Sequence, residues 1–233
     1  MIDIIIPVYN GFDVTQACLE SALSAPYNID HRFIIINDAS TDEALNDFLR
    51  KQDDPRITLL ENEQNSGFTL TVNRGLNYSK ENDVVLLNSD TEVANDWLDR
   101  LHKAAYSDKK IATVTPFTNN ATICSFPMLC EENELYPNTN LTELDNYFAT
   151  INRHKTIEIP SGVGFCLYIK RECLNQIGVL DKVNFPRGYG EENDLCLRAV
   201  KHGWTNVLAG DVFVFHKGSV SFGKEKQKLL ERA

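Results

Sequence analysis

Five short runs in the first half of the chain, at residues 3–8, 32–36, 57–60, 84–87 and 112–115, are apolar almost throughout rather than at alternate positions. A strand without a polar face must be covered on both sides, which means a largely parallel sheet flanked by helices. Helix-like segments at 13–24, 41–51, 68–79 and 94–107 separate these runs. The β-α-β-α rhythm predicts a doubly wound α/β fold. It breaks near Phe117, and residues 117–155 are polar and Pro-broken (Pro116, Pro127, Pro137), which predicts a functional loop or a lid. Beyond it the pattern predicts strands at 156–159 and 165–169, helices at 171–177 and 191–202, and a strand pair at 206–208 and 212–215. A charged, helix-prone tail at 224–233 ends without a cap or turn signal, as a surface helix or a truncated chain would.

With 233 residues the chain can form one sizeable α/β domain, burying roughly 70% of its unfolded surface. A formal charge of −10 argues against a protein that tracks nucleic-acid phosphates. No apolar run reaches the ~20 residues of a membrane span, and the start lacks the basic region of a signal peptide. Six scattered cysteines without a CxxC pair read as reduced thiols of a cytoplasmic protein.

In open parallel sheets, ligands bind beyond the carboxyl ends of the strands. Each of the first four runs is followed by polar or acidic side chains: Pro7-Val8-Tyr9-Asn10, Asn37-Asp38-Ala39-Ser40, Asn62 to Phe68, and Asn88-Ser89-Asp90-Thr91-Glu92. Asp90 suits a hard divalent cation bridging phosphate oxygens, or equally a helix N-cap. Asp38 has the same two readings, Tyr9 could stack on a base or simply pack, and a lone His216 is more often structural than a ligand. The run Gly188-Tyr189-Gly190-Glu191-Glu192-Asn193-Asp194 places three acids behind a Gly-x-Gly turn, more than capping requires. A carboxylate there could serve as a general base.

Taken together, these segments resemble the inverting glycosyltransferases of family 2, which have the glycosyltransferase A fold. The resemblance rests on Ile6–Asn10, Asn37–Asp42, Asn65-x-Gly67-Phe68 with Asn73-x-Gly75, Leu87–Val93 with Trp97-Leu98, Ser161–Cys166, Gly190–Leu195 and Val214-Phe215-His216, in that order. It implies a nucleotide-sugar-binding half at 1–115 and an acceptor-binding and catalytic half at 116–223 of one domain. Pro7, Tyr9 and Asp38 would shape and contact the nucleoside site, and Asn65 and Asn73 would line the donor pocket. Asn88 and Asp90 would form the phosphate-side cluster, with Asp90 and His216 ligating Mn²⁺ or Mg²⁺. Glu192 would be the catalytic base, with Glu191 close behind and Asp194 holding acceptor groups. The implied partners are a nucleoside-diphosphate sugar and a glycan or lipid-linked acceptor, with a cytoplasmic location that extends to the inner face of the membrane.

Two departures stand out. Asn88 replaces the first acid of the family's Asp-x-Asp, a variant associated with the O-antigen and rhamnosyltransferase-like branch and with surface polysaccharide assembly. Glu replaces Asp at the base position, so which of Glu191 and Glu192 reaches a hydroxyl stays open. A sugar nucleotidyltransferase would want a Gly-rich basic loop after the first strand, and a non-catalytic donor-binding domain of a larger assembly protein would not need the three acids of 191–194. A dinucleotide oxidoreductase would need a GxGxxG after a strand, and none occurs.

Overall fold

The structure, a computed structural model, describes residues 1–135, 139–186 and 188–218, so the expected helix at 224–233 lies outside it. The first half forms β1 (Ile2–Val8), α1 (Phe12–Ser24), β2 (His31–Asn37), α2 (Glu43–Arg50), β3 (Ile57–Glu61), α3 (Phe68–Tyr78), β4 (Asp83–Leu87) and α4 (Trp97–Ala105). The strands are parallel in the order β3-β2-β1-β4. Alternate residues of β1 serve two separate cores, as a strand covered on both faces requires. Ile2, Ile4, Ile6 and Val8 join Cys18 and Leu19 of α1, Leu45 of α2 and Trp97 of α4. Ile5 on the opposite face joins Val72 and Leu76 of α3. There α3 lies so close that a Cβ on Gly75 would stand 2.7 Å from Ile5 Cγ2. The polar exception in β1 is the fully buried Asp3, whose carboxylate is held by Arg32 at 2.7 Å.

The second half adds β5 (Thr91–Glu92), β6 (Ile111–Thr118), α5 (Leu141–Ile151), β7 (Thr156–Ile159), β8 (Cys166–Ile169), α6 (Arg171–Ile177), α7 (Glu191–Lys201) and β9 (Thr205–His216). The full order is β3-β2-β1-β4-β8-β6-β9-β5, with β7 also on β9. β8 runs antiparallel between β4 and β6, whereas β9 runs parallel to β6. The result is one α/β domain with a mostly parallel mixed sheet. Because β8 is reversed, its beginning lies at the same sheet edge as the carboxyl ends of its neighbours, with Cys166 opposite Leu87.

Two expectations need correction. The strand pair at 206–208 and 212–215 is one continuous strand, β9. Its middle carries a register shift: Pro116 pairs with Ala209 but Phe117 with Phe213. The small and polar Ala209-Gly210-Asp211 interrupts the apolar run that signals a strand, and here it forms the irregularity. The segment 117–155 is also not wholly loop, because it contains α5. Leu144 and Phe148 of that helix pack on Phe213. The buried Asp145 binds Arg100 of α4 at 2.5 Å and accepts from the Phe213 backbone N–H at 2.9 Å. A helix held by a buried ion pair and an aromatic cluster is a fixed wall rather than a lid.

Candidate active site

The strand-end loops at the shared edge are tied to one another. Asn10, with φ of 56°, uses its side-chain oxygen to accept from the backbone N–H of Thr41 at 2.8 Å, and its own N–H donates to Ser40 Oγ at 2.9 Å. The loops after β1 and β2 are therefore one unit. Asp38, 3% exposed, accepts from Asn62 Nδ2 at 2.6 Å and from the backbone N–H groups of Ser66 and Gly67 at 2.8 and 2.9 Å. Both carboxylate oxygens thus hold the loop 62–67. Pro7 and Tyr9 are half-buried beside this unit, and Asn65 is exposed on the loop that Asp38 holds. Asn73 is buried and pairs with the Leu180 backbone, donating to its carbonyl at 2.9 Å and accepting from its N–H at 3.0 Å. Its amide anchors α3 to the segment after α6 instead of opening onto a pocket.

Beyond β4 the chain turns sharply. The Asn88 carbonyl accepts from the Thr91 hydroxyl at 2.7 Å, and the Asn88 N–H donates to the Phe165 carbonyl at 2.8 Å. This turn presents Asp90, and β5 then pairs with the end of β9, Thr91 opposite His216. His216 Nε2 lies 3.4 Å from Asp90 Oδ1, both side chains being largely buried at 17% and 12% exposure. Nδ1 of the same ring stands 2.8 Å from the Asn120 carbonyl, which can only accept. In the neutral ring that contact places the proton on Nδ1, and Nε2 then faces Asp90 with its lone pair. Two electron-rich groups then face each other, an arrangement suited to a cation between them. Asn119 fixes the His216 backbone from both sides, accepting from its N–H at 2.8 Å and donating to its carbonyl at 3.1 Å. Phe165 stacks on the imidazole at 5.3 Å between centroids. Among the described residues no group of three His, Cys, Asp or Glu side chains could hold a metal by itself. Asp90 and His216 fit an ion whose other positions are filled by phosphate and water, as Mg²⁺ and Mn²⁺ sites commonly are.

The loop 161–165 links this pair to the acidic turn. Its Phe165 lies on His216, and a Cβ on Gly164 would stand 3.9 Å from Glu192 Oε1. Ser161 donates to Asn193 at 2.7 Å, fastening the loop to α7. The turn before α7 has three successive positive φ angles, at Gly188, Tyr189 and Gly190. A Cβ on Gly190 would lie 2.7 Å from the Phe185 ring, so glycine is required there for shape as well as for φ. Glu191 is 4% exposed, and burial together with the neighbouring charge of Glu192 pushes its carboxyl up to about 8. Burial raises Glu192 as well. Asp194 is bound to Arg198 at 2.8 Å, and that arginine also donates to the Ile177 and Val179 carbonyls. Its charge ties α7 to the end of α6.

Sequence reasoning missed Asn119 and Asn120. They follow the fifth parallel strand as the other polar groups follow the first four, so the same strand-end rule would have found them.

Residues 3–178 match the family model described as "Glycosyl transferase family 2". Glycosyltransferase GlyA of Streptococcus pneumoniae serotype 4 (strain ATCC BAA-334 / TIGR4) is 35% identical over 106 residues, covering 44% of this chain and 14% of that protein. Protein y4gI of Sinorhizobium fredii (strain NBRC 101917 / NGR234) is 24% identical over 97% of this chain and 25% of its own length. The chain thus spans a quarter or less of these curated relatives. Among solved structures, GalNAc-T7 with UDP, GalNAc and Mn²⁺ superposes with a TM-score of 0.70 at 16% identity, over 93% of this chain and 43% of that one. The mannosyltransferase PcManGT from Pyrobaculum calidifontis, in complex with GDP-Man and Mn²⁺, gives 0.64 at 18% identity, over 99% of this chain and 60% of that one. At these identities the likeness concerns the fold.

Proposed function

The chain belongs to glycosyltransferase family 2, and from that premise we propose that it moves a sugar from a nucleoside-diphosphate donor to a hydroxyl acceptor in one inverting displacement assisted by Mn²⁺ or Mg²⁺. The observation that carries this reading is the facing of Asp90 and His216 across 3.4 Å, with the other ring nitrogen engaged by the Asn120 carbonyl. Both structural neighbours described above hold Mn²⁺ with a nucleotide or nucleotide sugar, which supports a cation of that type at this edge.

In this reading the half at 1–115 binds the donor. The joined loops after β1 and β2, with Pro7 and Tyr9, and the loop 62–67 held by Asp38, shape the nucleoside site. Asn65 is the asparagine of that loop free to approach the ligand, while Asn73 acts from behind through Leu180. Asn88 contributes a neutral amide beside Asp90. A bound cation would neutralise charge on the departing diphosphate. The half at 116–223 would receive the acceptor against the loop 161–165 and the α7 turn. Glu192 takes the acceptor hydroxyl proton as that oxygen bonds to the anomeric carbon and the bond to the diphosphate breaks. The proton then leaves Glu192 for solvent. A single displacement inverts the anomeric configuration.

The test is release of nucleoside diphosphate from a panel of nucleotide sugars with Mn²⁺ or Mg²⁺, with and without chelator. The expected result is metal-dependent release that Asp90→Ala abolishes. Release unaffected by chelator and by Asp90→Ala would defeat the metal reading. Pyrophosphate release from a nucleoside triphosphate would point to a nucleotidyltransferase instead.

A further inference from the structure

We propose that Glu191 is a positioning residue that keeps one proton at neutral pH and uses it to donate a hydrogen bond to Glu192, so that the two adjacent glutamates work as one singly charged pair. The inference rests on the transfer reading above and assigns separate roles within the acidic turn.

The geometry comes first. Both glutamates lie in the first turn of α7, and Oε2 of each is buried with no hydrogen-bond partner among the described residues. Neither carboxylate forms an ion pair with a described Arg or Lys, although Asp194, in the same turn, does. Glu191 is pressed against Gly188, where a Cβ would lie 3.8 Å from both of its oxygens. Glu192 lies against Gly164 on the other side. Two buried carboxylates in contact, with no cation beside them among the described residues, cannot both ionise cheaply, so the pair retains a proton. Glu191, the residue with less exposed surface and the one raised by its neighbour's charge, keeps it, and a hydrogen bond from its carboxyl favours the charged form of Glu192. Among the described residues, the other titratable groups facing the pair are Tyr189 in the preceding turn and Cys196 one turn along α7. Burial raises both, so they are neutral at pH 7.

The proton has two consequences. It limits the buried charge to one, and it commits one oxygen of Glu192 to the shared hydrogen bond. The acceptor's proton therefore goes to Glu192, and Glu191 neither gains nor loses one during transfer.

Carboxyl ¹³C NMR of glutamate-labelled protein, with pH profiles of turnover, tests this. The expected result is one glutamate that titrates near pH 8, is lost in Glu191→Gln and is retained in Asp194→Asn. Turnover of the natural sequence should fall above that pH, and Glu191→Gln, which keeps a neutral donor, should remove the alkaline limb and retain more activity than Glu191→Ala. Glu192→Gln should lose roughly 10²–10⁴-fold. The proposal is overturned if no glutamate holds its proton past pH 7, if Glu191→Gln is as inactive as Glu192→Gln, or if it leaves the alkaline limb in place. A chain that releases no nucleoside diphosphate would sink the transfer reading and with it the positioning role. The NMR titration would still decide whether the pair shares a proton.

Discussion

His216 is held in one orientation by its neighbours, as the proposed cation site requires. The Asn120 carbonyl engages Nδ1, Asn119 grips the backbone on both sides, and Phe165 stacks on the ring. An imidazole set in this way needs no reorientation when an ion arrives, and outer partners of this kind commonly contribute 10–100-fold in metal affinity. His216→Ala should therefore weaken Mn²⁺ binding by at least ~10–100-fold, as measured by electron paramagnetic resonance titration of free Mn²⁺. Asp90→Asn should also weaken it, since the amide keeps the shape and removes the charge. Unchanged Mn²⁺ affinity in both variants would place the ion elsewhere.

At the scale of elements, the second half of the molecule is organised around pieces that the sequence disguises. The parallel strands were legible because Ile4-Ile5-Ile6 and Val84-Val85-Leu86-Leu87 need cover on two faces, and the acids at their ends were legible because the sheet edge gathers them. Helix α5 was not legible, because Asn140 and the flanking prolines suggest loop, and the residues that stabilise it, Arg100 and Phe213, are distant in sequence. Asn140 is in fact its N-cap, accepting from the Glu143 N–H at 2.9 Å. The roles of Asp38 and Asn73 were hidden for a similar reason: their partners Ser66, Gly67 and Leu180 are backbone groups, whose positions only the fold supplies. The Arg100–Asp145 pair makes α5 testable as a wall. Asp145→Ala leaves a buried guanidinium without its main partner, a change that typically costs about 3–5 kcal/mol. Thermal denaturation should show a fall of roughly 2–4 °C for each kcal/mol in a chain of this size. A variant that melts with the natural sequence would mean that α5 contributes nothing to stability.

For the molecule as a whole, the acidic turn is a cost that the rest of the fold carries. A glutamate carboxyl in an unfolded chain ionises near 4.5, whereas Glu191 in the fold holds its proton to about 8. Below 4.5 both states are protonated and the group is neutral to stability. Between those values only the unfolded state is free to ionise, so stability drains away as pH rises and levels off above about 8. Glu191→Gln should therefore melt at a higher temperature than the natural sequence at pH 8, with the gap closing toward pH 4.5. An equal gap at both pH values would show that the carboxyl titrates normally. No helix among the described residues is long and apolar enough to cross a membrane. The irregular centre of β9 has a further consequence. Residues 210–212 have no counterpart on β6, yet from Phe213 onward the ladder resumes and delivers His216 opposite Thr91. One amino acid added after Phe213 would point the imidazole through to the far side of the sheet, and two would restore its direction but carry it about 6–7 Å too far. The last four positions of this strand act as a ruler that sets where the imidazole stands.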